Sequence, residues 1–464
     1  MILMACINTT IVNVALPTMA KEMGLDMGSV SWVVAIYLIG ITATILIYGK
    51  LADLYGKPQI FIFGVGLFTF GSLLCGLAPS LPILLAARVI QAAGAAATMA
   101  TNQGLISQVF PLDERGRALG LSGSAVALGS MLGPALGGII ISGFSWHYIF
   151  WVNIPIGIAA LLMSFRIFPQ GKKKVKENKE EEDKFDGFGS LLYATSISLF
   201  FLAMNIGQRT GFGNAWTMMA VGVSMVLFGL FLRTERRRQA PMLDLRIFEN
   251  KLFSLSIFSA LINFTVIAST FIILPFYFQN TLHMSPSLAG LYMMTSPIVL
   301  SIVSPISGYI SDKIGPEPLA FLGLCISAWG FIAMGLAYHE TTSRILIIAL
   351  MAFMSLGSAI FQAPNTSLTM STVSRDKLGI AGSVNGLSRN VGLVCGVTFS
   401  TTLLYNRMSS RLGYRVQDYV AGREDAFVYA MKIVFLTAGG LCLIPAALMG
   451  LRLLRRRWLQ TNSE

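Results

Sequence analysis

The sequence predicts an all-α polytopic membrane protein, and two observations carry that reading. Only 12% of the 464 residues are charged and 54% are hydrophobic, whereas a soluble domain is about a quarter charged; so few charges cannot clothe a water-facing surface. The apolar residues also come in continuous runs about 20 long, the length that crosses a bilayer as a helix. They do not alternate as they would in a transmembrane strand.

In order, the runs lie at about 1–18, 30–49, 59–78, 82–108, 117–142, 148–166, 188–206, 215–232, 252–278, 286–311, 318–338, 344–370, 379–404 and 427–451. The first closes at Pro17, short for a span. No basic leader precedes it, so no cleavable signal peptide is read, and the natural chain is expected to begin upstream. Glycine and proline inside the runs are tolerated because neighbouring helices re-satisfy freed backbone groups.

Lysine and arginine test the arrangement. With the N-terminus inside, the cytoplasmic segments hold Lys50, Lys57, Arg115, Arg117, those from Arg166 to Lys184 and from Arg233 to Lys251, Lys313, Arg375, Lys377, and the tail from Arg452 to Arg457. That is 24 of the 34, against 7 in outer loops (Lys21, Arg209, Arg344, Arg407, Arg411, Arg415, Arg423) and Arg88, Arg389 and Lys432 inside runs. Such a bias is the positive-inside pattern and places both termini in the cytoplasm. The net charge of +12 is therefore a matter of membrane topology and not of nucleic acid. The basic clusters Arg236–Arg238 and Arg455–Arg457 suit anionic lipid headgroups.

The long hydrophilic break Pro169–Asp186, containing KKKVKENKEEEDKFD, has mixed charge without apolar periodicity and reads as a solvated linker. The five cysteines (Cys6, Cys75, Cys325, Cys395, Cys442) are scattered singly, so no metal site or redox pair is expected. No nucleophile–base constellation and no GxxxxGK[ST] loop is present, which argues against an enzyme.

An internal repeat orders the runs. GKLADLYGK, Gly49–Lys57, ends the second, and GYISDKIG, Gly308–Gly315, ends the tenth; each has Gly, Asp and Gly at the same spacing. Duplicated loops at matching places imply two homologous six-helix halves with a two-helix insertion between them. The domains are then 1–168, a first six-helix bundle; 169–187, the charged linker; 188–251, two inserted helices and their following loop; and 252–464, a second bundle with a cytoplasmic tail. Such halves imply rocking and not a fixed pore. In the loops, Gly49 and Gly308 let helices approach and Gly56 and Gly315 make the turn. Asp53 and Asp312 can pair with a cation such as Lys57 or cap a facing helix, forming a conformational latch.

On these loops the chain resembles the major facilitator superfamily, and specifically its fourteen-helix drug:proton antiporter branch, from Ile7 to the last run. Pro58 and Gln59 stand where the family's loop carries more basic residues. Gly120, Gly129, Gly133, Pro134, Gly137 and Gly138 resemble the antiporter motif of the fifth helix, where small residues every four positions line one face. Arg88, with Gln91 and Gly94, is similar to the fourth-helix motif, whose arginine is implicated in proton relay; a guanidinium inside a span is a functional hypothesis by default. The segment Trp146–Pro155 resembles the start of the sixth helix, and Asp186-x-x-Gly189-x-x-Leu192 that of the first inserted one.

Ile7–Pro17, INTTIVNVALP, is similar to the first-helix signature, except that Asn8 stands where the family has aspartate. Every other carboxylate falls in a predicted loop or end segment, and His147, His283 and His339 fall in outer loops. Proton-driven exchange needs a titrating group, and no span holds one. Three accounts stand side by side: an engineered mimic of the protonated acid; a natural asparagine, with coupling through another group or none; or an acid outside the assumed spans.

Polar and aromatic groups inside spans are the candidate cargo contacts: Asn13, Tyr37, Asn102, Gln103, Asn153, Asn263, Tyr277, Gln279, Tyr292, Gln362, Asn365, Asn385, Arg389 and Asn390. The resemblance implies a monomeric exporter of amphipathic drugs in a bacterial plasma membrane, exchanging for protons, with the proton gradient and no cofactor as energy source. A lipid flippase or metabolite facilitator on the same fold is the alternative.

Overall fold

The computed structural model describes residues 1–25, 27–111, 113–168, 186–210, 214–238, 241–416, 419–420 and 422–461. Most of the linker expected at 169–187 therefore lies outside the described residues, as do Asp26 and Asp418. Among the described residues the chain is helical throughout, with no strand. The helices are α1 Ile2–Met23, α2 Met27–Val30, α3 Trp32–Tyr55, α4 Lys57–Gly76, α5 Leu81–Val109, α6 Arg115–Gly143, α7 Tyr148–Trp151, α8 Asn153–Ile167, α9 Gly187–Thr210 and α10 Ala215–Arg237. They continue with α11 Lys251–Phe276, α12 Pro286–Met293, α13 Thr295–Ile314, α14 Pro316–Ala337, α15 Arg344–Ser371, α16 Leu378–Leu412 and α17 Glu424–Thr461.

Every predicted run coincides with a helix, two of them divided. The sixth breaks between α7 and α8 and the tenth between α12 and α13. Twelve helical stretches among the described residues are long and apolar enough to cross a membrane. The other two are the short apolar run Ile2–Leu16 and α16, whose Asn385, Ser388, Arg389 and Asn390 lower its apolarity. Several helices outrun the predicted ends at 49, 232 and 311, so Asp53, Glu235 and Asp312 stand on last helical turns. Hydropathy marks where lipid ends, but helical hydrogen bonding continues into water.

The chain groups into two compact units. The first is Met1–Val109, Leu128–Glu249 and Val373–Leu387; the second is Phe110–Ala127, Asn250–Thr372 and Ser388–Glu464. Within the first, α4 and α5 meet backbone to backbone: a Cβ on Gly64 would lie 3.0 Å from Gly94 O, and one on Gly94 2.2 Å from Phe68 N. Within the second, α14 and α15 repeat the contact at Gly323 and Gly357, whose Cβ atoms would meet Phe361 N at 2.5 Å and Ser327 N at 2.2 Å. Further along the same helices Gly71 abuts Gln91, and at matching spacing Gly330 abuts Met354. The repeat thus extends from the loops into the packing. The hairpin α9–α10 belongs to the first unit, where the Tyr193 hydroxyl donates to Thr42 O of α3 at 2.6 Å.

Candidate functional site

The first unit contains a buried polar network centred on α5. Arg88 and Gln91 lie one turn apart, so both project from the same face. Gln91 is the hub: its Oε1 accepts from Arg88 Nη1 at 2.6 Å, and its Nε2 donates to Ser72 Oγ at 2.7 Å and Asn8 Oδ1 at 3.3 Å. Asn8 Oδ1 also accepts from Asn153 Nδ2 at 3.3 Å, so α1, α4, α5 and α8 meet here. Arg88 Nε donates to Val33 O at 3.0 Å, and the guanidinium lies over the Tyr37 ring at 4.2 Å and the Phe150 ring at 5.5 Å.

These contacts engage Nε, Nη1 and the face of the guanidinium by hydrogen bonds and ring faces, but no carboxylate balances its charge among the described residues. Arg88 Nη2 has no hydrogen-bond partner, and the Asn8 Nδ2 amide and Tyr37 hydroxyl face each other without closing one of good geometry. Among the described residues the second unit does not repeat the network. At the place matching Gln91, Met354 packs against Gly330, and Met351 one turn before it is buried.

The duplicated loops have one geometry. Asp53 accepts from Gly379 N at 2.8 Å and Ile380 N at 2.9 Å, within the first unit. Asp312 accepts from Gly116 N at 2.7 Å and Arg117 N at 2.9 Å, within the second. Each carboxylate caps the first turn of a long helix, where free N–H groups and the helix dipole favour negative charge. Gly49 and Gly308 permit the approach: their Cβ atoms would lie 2.9 Å from Gly379 O and 2.1 Å from Gly116 O. Gly56 (φ 103°) and Gly315 (φ 90°) turn the chain in a conformation that L side chains rarely adopt, and Pro58 and Pro316 open the following helices. One asymmetry remains: Lys57 Nζ pairs with Asp53 at 3.0 Å and donates to Arg375 O at 3.5 Å. Gly116 and Gly379 were not singled out by the sequence reading; their one signal is a glycine just after a short charged turn.

In the small-residue motif of α6, the part from Gly129 on lies against α1. Cβ atoms on Gly129 and Gly133 would fall 2.6 Å from Leu3 O and 1.8 Å from Thr10 Oγ1, and one on Gly137 3.0 Å from Ile11 Cγ1; Gly138 has nothing within 4 Å. Gly120 belongs to the second unit, where its Cβ would meet Ser304 O at 2.5 Å. Pro134 sits inside the helix.

The candidate cargo contacts divide between the units. In the first, Tyr37 and Asn153 belong to the Arg88 network, Asn385 Nδ2 donates to Gln103 Oε1 at 3.1 Å, Asn102 is half-buried and Asn13 is exposed. In the second, the Tyr277 hydroxyl donates to His339 O and Asn365 Nδ2 to Ser256 O, while Arg389 lies 5.5 Å over the Phe264 ring. Tyr292 is buried, Gln362 and Asn390 are half-buried, and Gln279 is exposed on a π-helical turn. Asn263 is fully buried, and neither of its amide atoms has a hydrogen-bond partner.

Comparison with known proteins adds to this geometry. A family model described as Major Facilitator Superfamily matches residues 1–396 and 253–461. The chain is 32% identical over 439 residues to "Riboflavin transporter RibZ" of Clostridioides difficile (strain 630), covering 94% of this chain and 93% of that one. It is 30% identical over 433 residues to "Multidrug resistance protein Stp" of Mycobacterium tuberculosis (strain CDC 1551 / Oshkosh), covering 93% and 79%. Among solved structures, the proton:xylose symporter XylE bound to 6-bromo-6-deoxy-D-glucose superposes with a TM-score of 0.66 at 14% identity, over 97% of this chain and 92% of that one; that likeness concerns the fold alone.

Proposed function

The chain belongs to the major facilitator superfamily, and we propose that within it this multi-pass membrane transporter is a fourteen-helix exporter of amphipathic drug-like compounds. It works by alternating access in a bacterial plasma membrane, as a monomer with both termini cytoplasmic, and its natural form exchanges cargo for protons. The two carboxylate caps serve as the latch that holds one conformation and releases in the other.

The Arg88 network is the observation that carries this reading. A buried cation without a counter-charge is costly in a bilayer and marks a working site. Asn8 Oδ1 already accepts two amide N–H groups, while its Nδ2 faces the Tyr37 hydroxyl unbonded. An aspartate there would keep both contacts and offer a second oxygen to that hydroxyl. The slot suits a carboxylate better than an amide, which supports proton coupling in the form carrying the acid. The full Gly120–Gly138 pattern and the relative named for multidrug resistance favour export.

A metabolite facilitator or amphiphile flippase is the second reading, favoured by the relative named a riboflavin transporter. A panel of lipophilic cations, zwitterions and riboflavin, assayed in vesicles with an imposed pH gradient, separates the two. Gradient-dependent drug efflux, stronger in Asn8→Asp, is the expected result. Downhill riboflavin exchange indifferent to the gradient in both proteins overturns the exporter reading.

A further inference from the structure

We infer that Asp186 and Glu235 share one proton, forming a titratable site at the foot of the inserted α9–α10 hairpin that the transport reading does not use. Asp186 and Gly189 belong to the Asp186-x-x-Gly189-x-x-Leu192 segment, and both carboxylates are buried, 2% and 3% exposed. Each spends one oxygen on fixed donors. Asp186 Oδ1 accepts from Gly189 N at 2.8 Å and from Arg238 Nη1 at 2.6 Å, and Glu235 Oε2 accepts from Leu243 N at 2.7 Å.

The remaining oxygens, Asp186 Oδ2 and Glu235 Oε1, have no hydrogen-bond partner. They flank the bare face of Gly189, lying 2.5 and 2.4 Å from where its Cβ would stand. Two facing carboxylate oxygens without donors repel, and a single proton held between them satisfies both. Glycine at 189 leaves them room to meet. Arg238 neutralises one charge of the two. Of the other charged groups of the packed elements, Arg233, Arg236 and Arg237 are exposed, Asp244 is bound to Lys377, and on α3 Asp53 is held by Lys57 while Lys50 is half-buried.

The site is wired to the first latch. Glu235 fixes Leu243; the next residue, Asp244, takes the Lys377 ammonium at 2.6 Å; and Lys377 lies two residues before Gly379, whose N–H Asp53 caps. Loss of the proton sets two buried like charges against each other and loosens the 241–249 strap. The site thereby makes the latch respond to cytoplasmic pH.

Infrared difference spectra of the full chain in lipid nanodiscs, titrated from about pH 4 to about pH 8, test the site without any cargo, so this result and that of the efflux panel are independent. The expected result is a deuterium-sensitive carboxylic-acid band that persists above the ordinary carboxylate range, is lost in the isosteric Glu235→Gln and is displaced in Asp186→Asn. Absence of such a band, or a band unchanged in both variants, overturns the site. Hydrogen exchange of residues 373–382, corrected for intrinsic rates, should quicken with rising pH in the parent and stay flat in Glu235→Gln. The same pH response in that variant overturns the link to the latch.

Discussion

Asp53 caps the helix that begins at Leu378 by taking the N–H of Gly379, and Asp312 repeats the arrangement on Gly116. A Cβ on Gly379 would stand 2.5 Å from Asp53 Oδ1 and 2.7 Å from Gly49 O; on Gly116 it would stand 2.5 Å from both Asp312 Oδ1 and Gly308 O. Gly379→Ala and Gly116→Ala should each cost about 1–3 kcal/mol by overpacking. Both should lower the thermal unfolding temperature and the efflux rate. Parental values in both variants would show that the caps do not matter.

Lys57 and Asp53 are both largely buried, at 7% and 10% side-chain exposure. Removing one partner of such a pair strands the other charge, at about 3–5 kcal/mol. Asp53→Asn, which strands the ammonium and also costs the cap on Gly379 and Ile380, should destabilise more than Lys57→Met, after which Asp53 keeps both N–H donors. A double-mutant cycle on unfolding midpoints measures the coupling, and strict additivity contradicts the pairing.

The motif glycines of α6 should differ in rank. Gly133→Ala meets Thr10 Oγ1 at 1.8 Å and should express poorly, Gly137→Ala meets Ile11 Cγ1 at 3.0 Å and should be mild, and Gly138→Ala meets nothing within 4 Å and should be neutral. Expression and unfolding temperature read the series. Equal losses at all three would mean that contact with α1 is not what these glycines serve.

Asn263 buries an amide without partners, so Asn263→Leu should leave stability unchanged or raise it by about 1 kcal/mol. A fall in efflux at unchanged stability assigns Asn263 to cargo. Destabilisation instead assigns it a structural hydrogen bond.

Asp244 carries a pH dependence of definite sign. Burial pushes its carboxyl up, but hydrogen bonds from Lys377 and the Arg246 N–H prevail and hold it below the usual carboxylate range. A depressed folded value stabilises the protein above the unfolded value near 3.9, and that stability is lost as pH falls through the folded value. The pair is partly exposed, so about 0.2–1 kcal/mol is at stake. Lys377→Met should be less stable than the parent at about pH 6, and the difference should vanish as pH falls through the depressed folded value of Asp244, read from unfolding midpoints.

Much of this was legible in the residues. The helices follow from apolar run lengths, and the paired caps from the twin Gly–Asp–Gly loops. What Asp53 and Asp312 would cap was not legible, because Gly379 and Gly116 are remote in sequence and a lone glycine carries little signal. Gln91 could be matched to a motif, but its role as hub depends on Ser72, Asn8 and Asn153 arriving from three other helices. The facing of Asp186 and Glu235 escaped for the same reason: each reads alone as a charge at the edge of an apolar run.

The unneutralised guanidinium of Arg88 has an electrical consequence. The amide beside it cannot ionise, so the side chain at position 8 carries no proton through the field. Each elementary charge that does cross is worth about 2.3 kcal/mol per 100 mV. In the exporter proposed above, asparagine at position 8 leaves the voltage to act on the charge that the cargo brings, and a neutral passenger should move at a rate indifferent to polarisation.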